Sequence, residues 1–426
     1  MSRPDLSVMR SRWKLAVLVV AIVVVGTTQT AQAQTLTTLH SFKNGSVDGS
    51  GPLGTLVIDK MGNLYGTTMS GGVRVADCVF DIYGAGCGVV FRLTPDGHLT
   101  VLHGFEGGSD GTNPRAGLVM DEAGNLYSTT EGGQLDTKYE SNLATVYEIT
   151  SSNAEIVLHD FSPNDSAQGE FPVSSLIVGT NGNLYGTTEL GGRPCTDSPY
   201  GCGTVFQITP SGDETVLYTF TGGKDGASPK AGLLLDETGN LYGTTALGGT
   251  YGLGTVFELT PSDSGWSKTI IQNFGGVLGS QPQGNLAFDP RGNIYGTTVY
   301  GGTYTWGCVF MLGSSPNGWK EKVLYSFTGG SDGKYPYAGV VFDKKGNLYS
   351  TTQAGGTYGD GTVFELIRTS AGWTETVLHS FNANSQPEGA APYSGVVFDS
   401  QGNLYGTTSA GGGVEGTGTV FKLTFN

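Results

Sequence analysis

The sequence predicts an all-β protein, a seven-bladed β-propeller of four-stranded antiparallel blades closed by pairing of its N- and C-terminal strands. Three observations carry this expectation. The string GNLYGTT (Gly182–Thr188), or a close variant, begins at Gly62, Gly124, Gly182, Gly239, Gly292, Gly346 and Gly402. Successive copies lie 53 to 62 residues apart, which is too long for a β-helix coil and near the length of a propeller blade. Finally, one strand-like segment stands alone at the start, and the last repeat lacks the matching one.

Each repeat reads as four strands bounded by Gly, Pro, Asn and Asp. In the fourth copy, strand a is AGLLLD (Ala231–Asp236), b is LYGTTA (Leu241–Ala246), c is GTVFELT (Gly254–Thr260) and d is TIIQNF (Thr269–Phe274). Asp236 to Asn240 suits a tight a–b hairpin: Asp bonds the following backbone, and Gly takes the φ > 0 position. Along strand b, Leu241, Gly243 and Thr245 face one side, Tyr242 and Thr244 the other. Neither side reads as a solvent face, as expected of a blade packed between two neighbours.

The ends fix the closure. TTLHSF (Thr37–Phe42) resembles the later strand d TVLHSF (Thr376–Phe381) but has no a, b or c before it. The last repeat supplies a (Ser394–Asp399), b (Leu404–Ser409) and c (Gly418–Thr424), then stops. The N-terminal strand therefore completes the final blade and removes two open sheet edges.

Residues 1–33 read as a signal peptide and 34–426 as the propeller. Arg3, Arg10, Arg12 and Lys14 precede an apolar run from Leu15 to Val25, and Ala31-Gln32-Ala33 follows, the order of a secretory leader. The run is short for a membrane span; an uncleaved N-terminal anchor is the alternative. Cleavage after Ala33 leaves Gln34 first and shifts the net charge from −15 to about −18. So acidic a surface repels phosphate backbones, which argues against a nucleic-acid partner. The expected product is a monomer, secreted, periplasmic or on the cell surface, with no transmembrane segment in the mature chain.

The repeated GNLYGTT, the Gly-Gly pairs after it (Gly248-Gly249, Gly301-Gly302, Gly355-Gly356) and the GTVF-x-L strand resemble the GloVer tandem-repeat family of bacterial secreted proteins. The match covers essentially residues 36–426. The resemblance implies an exported repeat protein, often with an added C-terminal anchor; none is expected here, where Asn426 follows strand c directly. It carries no catalytic residues over. Departures fall at Ser128, which replaces Gly, at the irregular Gln134–Ala144, and at Gly179, which replaces the turn Asp.

The chemistry-bearing residues mostly repeat. His40, His103, His159 and His379 occupy one place in strand d, which favours packing and hydrogen bonding over general-base work; His98 lies in a c–d hairpin. Asp59, Asp121, Asp236, Asp289, Asp343 and Asp399 hold one turn position in separate blades. Asp110, Asp225 and Asp332 sit in d–a connections and offer loop carboxylates to calcium, although no EF-hand spacing is present. No other cofactor or metal is expected. Among the cysteines, Cys78 with Cys87 and Cys195 with Cys202 read as local disulfides of an exported protein, metal binding being the lesser alternative. Cys308 replaces the Thr of Gly-Thr-Val-Phe and should be a buried free thiol.

No nucleophile elbow, H-E-x-x-H, P-loop or Cys-x-x-Cys pattern occurs. The leading expectation is a non-catalytic binding scaffold for a glycan or protein ligand. The alternative is a hydrolase, lyase or lactonase acting on an extracellular carbohydrate or ester across the central channel; a structural module of the envelope is the third. Unlike, non-repeated polar residues at one channel mouth would favour the enzyme, and a uniform ring would favour binding or scaffolding. The face bearing the b–c and d–a connections varies most and carries the candidate ligand residues Tyr83, Tyr200, Tyr251, Tyr304, Trp306 and Tyr358. Trp266, Trp319 and Trp373, in the c–d hairpins, either pack on their own hairpins or form a second aromatic platform.

Overall fold

The computed structural model describes residues 34–43, 48–72, 78–80, 84–132, 143–161, 167–192, 195, 198–316, 318–413 and 416–425. Residues 1–33 and Tyr83 lie outside these. Seven four-stranded antiparallel sheets follow one another as the blades of a propeller, each in the order a-b-c-d. Blade 4 consists of a (Leu234–Leu235), b (Leu241–Thr245), c (Thr255–Ser262) and d (Gly265–Asn273). In blade 7, a (Val397–Phe398), b (Leu404–Thr408) and c (Thr419–Phe425) pair with the N-terminal strand Gln34–Ser41. Leu36 stands opposite Leu423 and Ser41 opposite Thr419, so the termini close the ring as expected.

Every letter of the recurring string has a structural task. Asp236 Oδ1 accepts the amides of Thr238 and Asn240 at 2.8 and 2.9 Å, and Oδ2 accepts Asn240 Nδ2 and the Tyr242 hydroxyl at 2.9 and 3.2 Å. Gly239 closes this turn at φ 89°, a conformation that favours glycine. In blade 3, where Gly179 has no side chain to offer, Asn181 Oδ1 accepts the Asn183 amide instead. A Cβ on Gly243 would lie 2.5 Å from the Phe257 ring, so glycine makes room for the strand c aromatic. The last Thr, Thr245, meets Thr255 of its own strand c at 2.8 Å.

The first Thr reaches the next blade. Thr187 Oγ1 donates to the Ala231 carbonyl at 3.1 Å, Thr297 to Ala338 at 2.8 Å, and Thr407 to Pro52 at 3.4 Å, which carries the pattern across the closure. These bonds explain a departure from the expected strand a. Only two residues, Leu234–Leu235, form a ladder where six were expected. Upstream, the carbonyls next to the axis accept hydroxyls of the preceding blade rather than ladder amides.

The core lies between blades. Each interface holds an edge-to-face ring pair, such as Phe220 with Phe257 at 5.2 Å and Phe381 with Phe421 at 5.2 Å, an arrangement worth about 1 kcal/mol beyond area burial. Trp319 and Trp373 do not pack on their own hairpins alone. They stand edge-on to Tyr242 and Tyr295 of the preceding blades, with centroids 6.2 and 6.5 Å apart. Cys78–Cys87 and Cys195–Cys202 are disulfide-bonded. Cys308 is free and buried, 3.2 Å from Thr298 Oγ1 in the place of the usual Thr–Thr pair. Burial pushes its thiol up to about 12, against that hydrogen bond. Among the described residues, no helix is long and apolar enough to cross a membrane.

Candidate functional site

The residue before the proline that opens each a segment adopts a left-handed φ: Asn113, Phe171, Ser228, Gln281, Tyr335 and Ala391 at 52–60°, and Gly51 at 66°. Non-glycine residues rarely adopt this conformation, and it clusters at functional sites. Here it turns the chain so that the same residue's carbonyl accepts the amide following the Thr-Thr of strand b. Examples are Glu131 to Asn113 at 3.0 Å, Glu189 to Phe171 at 2.9 Å and Gln353 to Tyr335 at 3.1 Å. Two positions that are distant in sequence thus meet at the channel mouth of every blade, on the face of the b–c and d–a connections.

At both positions the repeat stops repeating. After the proline stand Leu53, Arg115, Val173, Lys230, Gln283, Tyr337 and Tyr393; after Thr-Thr stand Met69, Glu131, Glu189, Ala246, Val299, Gln353 and Ser409. The mouth is therefore a ring of unlike residues on a uniform frame. Blades 2 to 4 are charged. Arg115 Nη1 lies 3.7 Å from Glu131 Oε1, and Lys230 Nζ lies 2.9 Å from Glu189 Oε1, which also accepts Ser228 Oγ at 3.1 Å. Arg115 and Lys230 keep 34% and 33% of their side chains exposed, so a ligand can reach them.

Around blades 5 to 7 aromatic rings gather, although Gln283 and Val299 hold blade 5's own two positions. Tyr337 and Tyr393 stack with centroids 4.4 Å apart and planes 20° off parallel. Tyr335 meets Tyr300 and Trp306 edge-on at 5.3 and 5.4 Å. Lys334 Nζ lies 5.1 Å from the Trp306 centroid. Arg115 bridges the two halves, its Cζ 5.8 Å from the Tyr393 centroid. Burial raises the Glu131 carboxyl above its ordinary range; Arg115 and Lys230 oppose this and Glu189 adds to it. Burial and the neighbouring tyrosines raise the Tyr337 hydroxyl.

At the mouth, a cavity of about 100 Å³ is lined by Arg115, Lys230, Gln283, Tyr337 and Tyr393 together with Gly, Ala, Ser, Thr and Asn residues of the a segments. Its walls are backbone at close approach: a Cβ on Gly339 would lie 2.1 Å from the Asn285 carbonyl oxygen.

Of the residues expected to bind ligand, Trp306 joins the aromatic half. Tyr200, Tyr251, Tyr304 and Tyr358 stand 53–65% exposed in separate b–c connections, and none of the ring contacts among the described residues links them to one another. The mouth residues escaped sequence reading because their partners come from other blades, as Arg115 and Tyr393 do. Aligning the seven copies and marking the columns where they differ would have found them.

The loop aspartates engage protein donors. Asp110 accepts the Glu106 amide at 2.6 Å and pairs with His103 at 3.0 Å; Asp332 accepts the Thr328 amide at 2.7 Å and the Tyr325 hydroxyl at 2.9 Å. His40 and His379 are likewise paired, with Asp48 and Glu388.

No curated protein is significantly similar to the chain. Solved structures resemble it in fold. A fungal alcohol oxidase of the AA5 family, in complex with copper, aligns with a TM-score of 0.53 at 13% identity, over 92% of this chain and 76% of that one. A candidate 6-phosphogluconolactonase from Bacteroides uniformis aligns at 0.49 and 14% identity, over 75% and 84%. The extracellular domain of a candidate one-component system from B. thetaiotaomicron aligns at 0.49 and 10% identity; the alignment spans 90% of this chain and 40% of that one. The sequence pattern of the Gloeobacter/Verrucomicrobia repeat matches residues 80–286 and 232–426. With both stretches together spanning nearly all seven blades, the chain belongs to the Gloeobacter/Verrucomicrobia repeat family.

Proposed function

We propose that this chain is an exported binding scaffold that holds a glycan at the channel mouth without chemically altering it. The observation that carries this reading is that both mouth positions differ from blade to blade on an otherwise repeated frame, bringing paired charges on one side together with stacked aromatic rings on the other. Sugars present C–H faces to aromatic rings and hydroxyls to carboxylates and guanidinium groups, and this mouth offers both. Variable side chains on a rigid frame are where recognition usually resides. The reading needs no cofactor. Residues 1–33 act as the export signal, removed after Ala33, which fits the two disulfides.

Glycan-array screening of the exported protein tests it. Tyr393→Ala and Tyr337→Ala should each weaken a detected ligand roughly tenfold, as expected for about 1.4 kcal/mol. Met61→Ala, at a fully formed a–b turn on the opposite face where Met61 is 76% exposed, should change nothing. Equal loss in all three, or in none, overturns the assignment.

The enzymatic reading keeps two supports: unlike polar residues at the mouth are the arrangement expected of an enzyme, and two of them are carboxyls of suitable character. A carboxyl raised by burial beside a second carboxylate is the arrangement of a general acid and its partner, and Glu131 with Glu189 provides it. Hydrolysis of a polysaccharide or lactone by the exported protein, abolished by Glu131→Gln, would establish that reading in place of simple binding.

A further inference from the structure

The aromatic half of the mouth extends well beyond the channel. Tyr393 and its stacked partner Tyr337 stand at the rim. Tyr335 and Tyr300 follow, then Trp306, and Tyr304 lies two residues before Trp306 in the same b–c connection. Tyr300 is 37% exposed and Tyr304 53%. This row is not a product of the repeat. Where blade 6 has Tyr335, the other blades have Gly51, Asn113, Phe171, Ser228, Gln281 and Ala391. Tyr335 also holds its ring from a φ of 60°, a costly conformation for a bulky residue.

We propose that the bound ligand is a chain of several neutral sugar units, lying side-on from Arg115 and Tyr393 at the channel outward to Trp306 and Tyr304; this rests on the glycan reading above and extends it. Continuity argues for a ligand that lies across the mouth. The cavity is lined by Arg115, Lys230, Tyr337 and Tyr393 as well as by the small residues of the a segments, so a ligand seated on it touches both the charged and the aromatic half. The length of the row then argues for more than one unit, because a single ring covers Tyr337 and Tyr393 and leaves the outer aromatics unused. Charge argues for neutrality. Arg115 and Lys230 already face Glu131 and Glu189, and the chain as a whole carries −15, which repels an anionic polymer.

Calorimetric titration of the exported protein with cello-, xylo- and laminari-oligosaccharides of one to six units tests the proposal. In at least one series, affinity should rise tenfold or more with length and then level off. Tyr304→Ala with Trp306→Ala should abolish that gain while leaving the shortest bound oligomer unaffected; Tyr393→Ala should weaken every length. Because Trp306 packs closely on Gly329, the exposed Tyr304→Ala is measured alone as well and should remove part of the gain. Length-independent affinity, or equal weakening of all lengths by the outer variants, overturns the chain proposal. So does failure of every neutral series. If an array still finds a glycan ligand that Tyr393→Ala weakens, the mouth reading survives that failure; if it finds none, both fall.

Discussion

Two interfaces between adjacent outer strands solve the same problem in opposite ways. Between blades 3 and 4, Tyr218 and Asp225 of one blade face Lys268 of the next. The Lys268 side chain is 4% exposed, and its ammonium bonds Asp225 Oδ1 at 2.8 Å and lies 5.0 and 4.8 Å from the Tyr218 and Phe220 centroids. Burial pushes the Asp225 carboxyl up, but Lys268, Tyr218 and Thr221 bring it below the usual range. Between blades 5 and 6, Tyr325 and Asp332 stand in the same places, yet the residue aligned with Lys268 is Glu375. Its Oε1 is buried without a hydrogen-bond partner. Burial pushes its carboxyl up to about 8, and Asp332 adds to the rise. One slot holds a cation, and its counterpart holds a second acid that retains a proton near neutrality. The fold therefore sets the slot, and a single side chain sets its charge.

The largest effect should come from emptying the cationic slot. Lys268→Met leaves Asp225 partly buried without its counter-ion, a change that typically costs about 3 kcal/mol or more. A loss of several degrees in Tm at pH 7 is expected. An unchanged Tm would show that solvent already serves Asp225 and that the two slots do not differ as described.

Converting the acidic slot comes next. Glu375→Lys places an ammonium beside Asp332, reproducing the arrangement between blades 3 and 4. It should raise Tm at pH 8 by an amount equivalent to about 1–2 kcal/mol, less than the full shift implies because the carboxyl keeps some solvent contact. A lowered Tm at pH 8 would mean that the slot cannot accept the longer chain, and the equivalence of the two slots would fail.

The pH profile sharpens the comparison without mutation. Glu375 titrates near 4.5 when unfolded and about 8 when folded, so the folded state binds more protons between those values. Stability from this group is full below pH 4.5 and is lost as pH rises through 8. Glu321, pushed up to about 7 by burial, acts in the same direction. The turn carboxylates Asp59, Asp236, Asp289 and Asp399 act in the opposite one. Their hydrogen bonds overcome burial and hold them below 3.8, so their contribution is lost as pH falls further. Tm should peak on the acid side of neutrality and decline toward pH 8.5, and Glu375→Gln should flatten the decline. A Tm that climbs from pH 5 to 8.5 would contradict the assignment.

Legibility in the sequence follows the range of the contacts. The Asp-x-x-Gly-Asn turn, the short disulfides and the spare strand Thr37–Phe42 are local patterns or simple offsets, and they gave blade number and closure directly. The mouth was not legible, because Pro-x reads as the start of strand a until the left-handed residue before it is seen. Arg115 then meets Tyr393 only through ring closure. The charged slots were half legible. His103 and Asp110 were each recognised as repeated, but their pairing, and the residue of the next blade that faces them, depend on how outer strands abut.

That residue yields the smallest and most discriminating effect. Between blades 1 and 2 the slot contains His103, Asp110 and Glu155, whose ligand atoms all lie within 4.8 Å of one another. Burial raises Glu155; His103 opposes this and Asp110 adds to it. Burial lowers the His103 imidazole, but Asp110 and Glu155 raise it above its ordinary value. The interface thus lies between the other two: its cation exists only while the imidazole is protonated. The proton bound by the folded state stabilises it below 6.5 and is lost as pH rises through the folded value. Glu155→Gln should therefore cost about 0.5 kcal/mol at pH 5.5, where it removes a partner of the imidazolium. At pH 9 it should instead raise Tm slightly, because there it removes one of two neighbouring carboxylates. A change of sign between the two pH values is the signature; the same sign at both would mean that Glu155 does not sense the charge on His103.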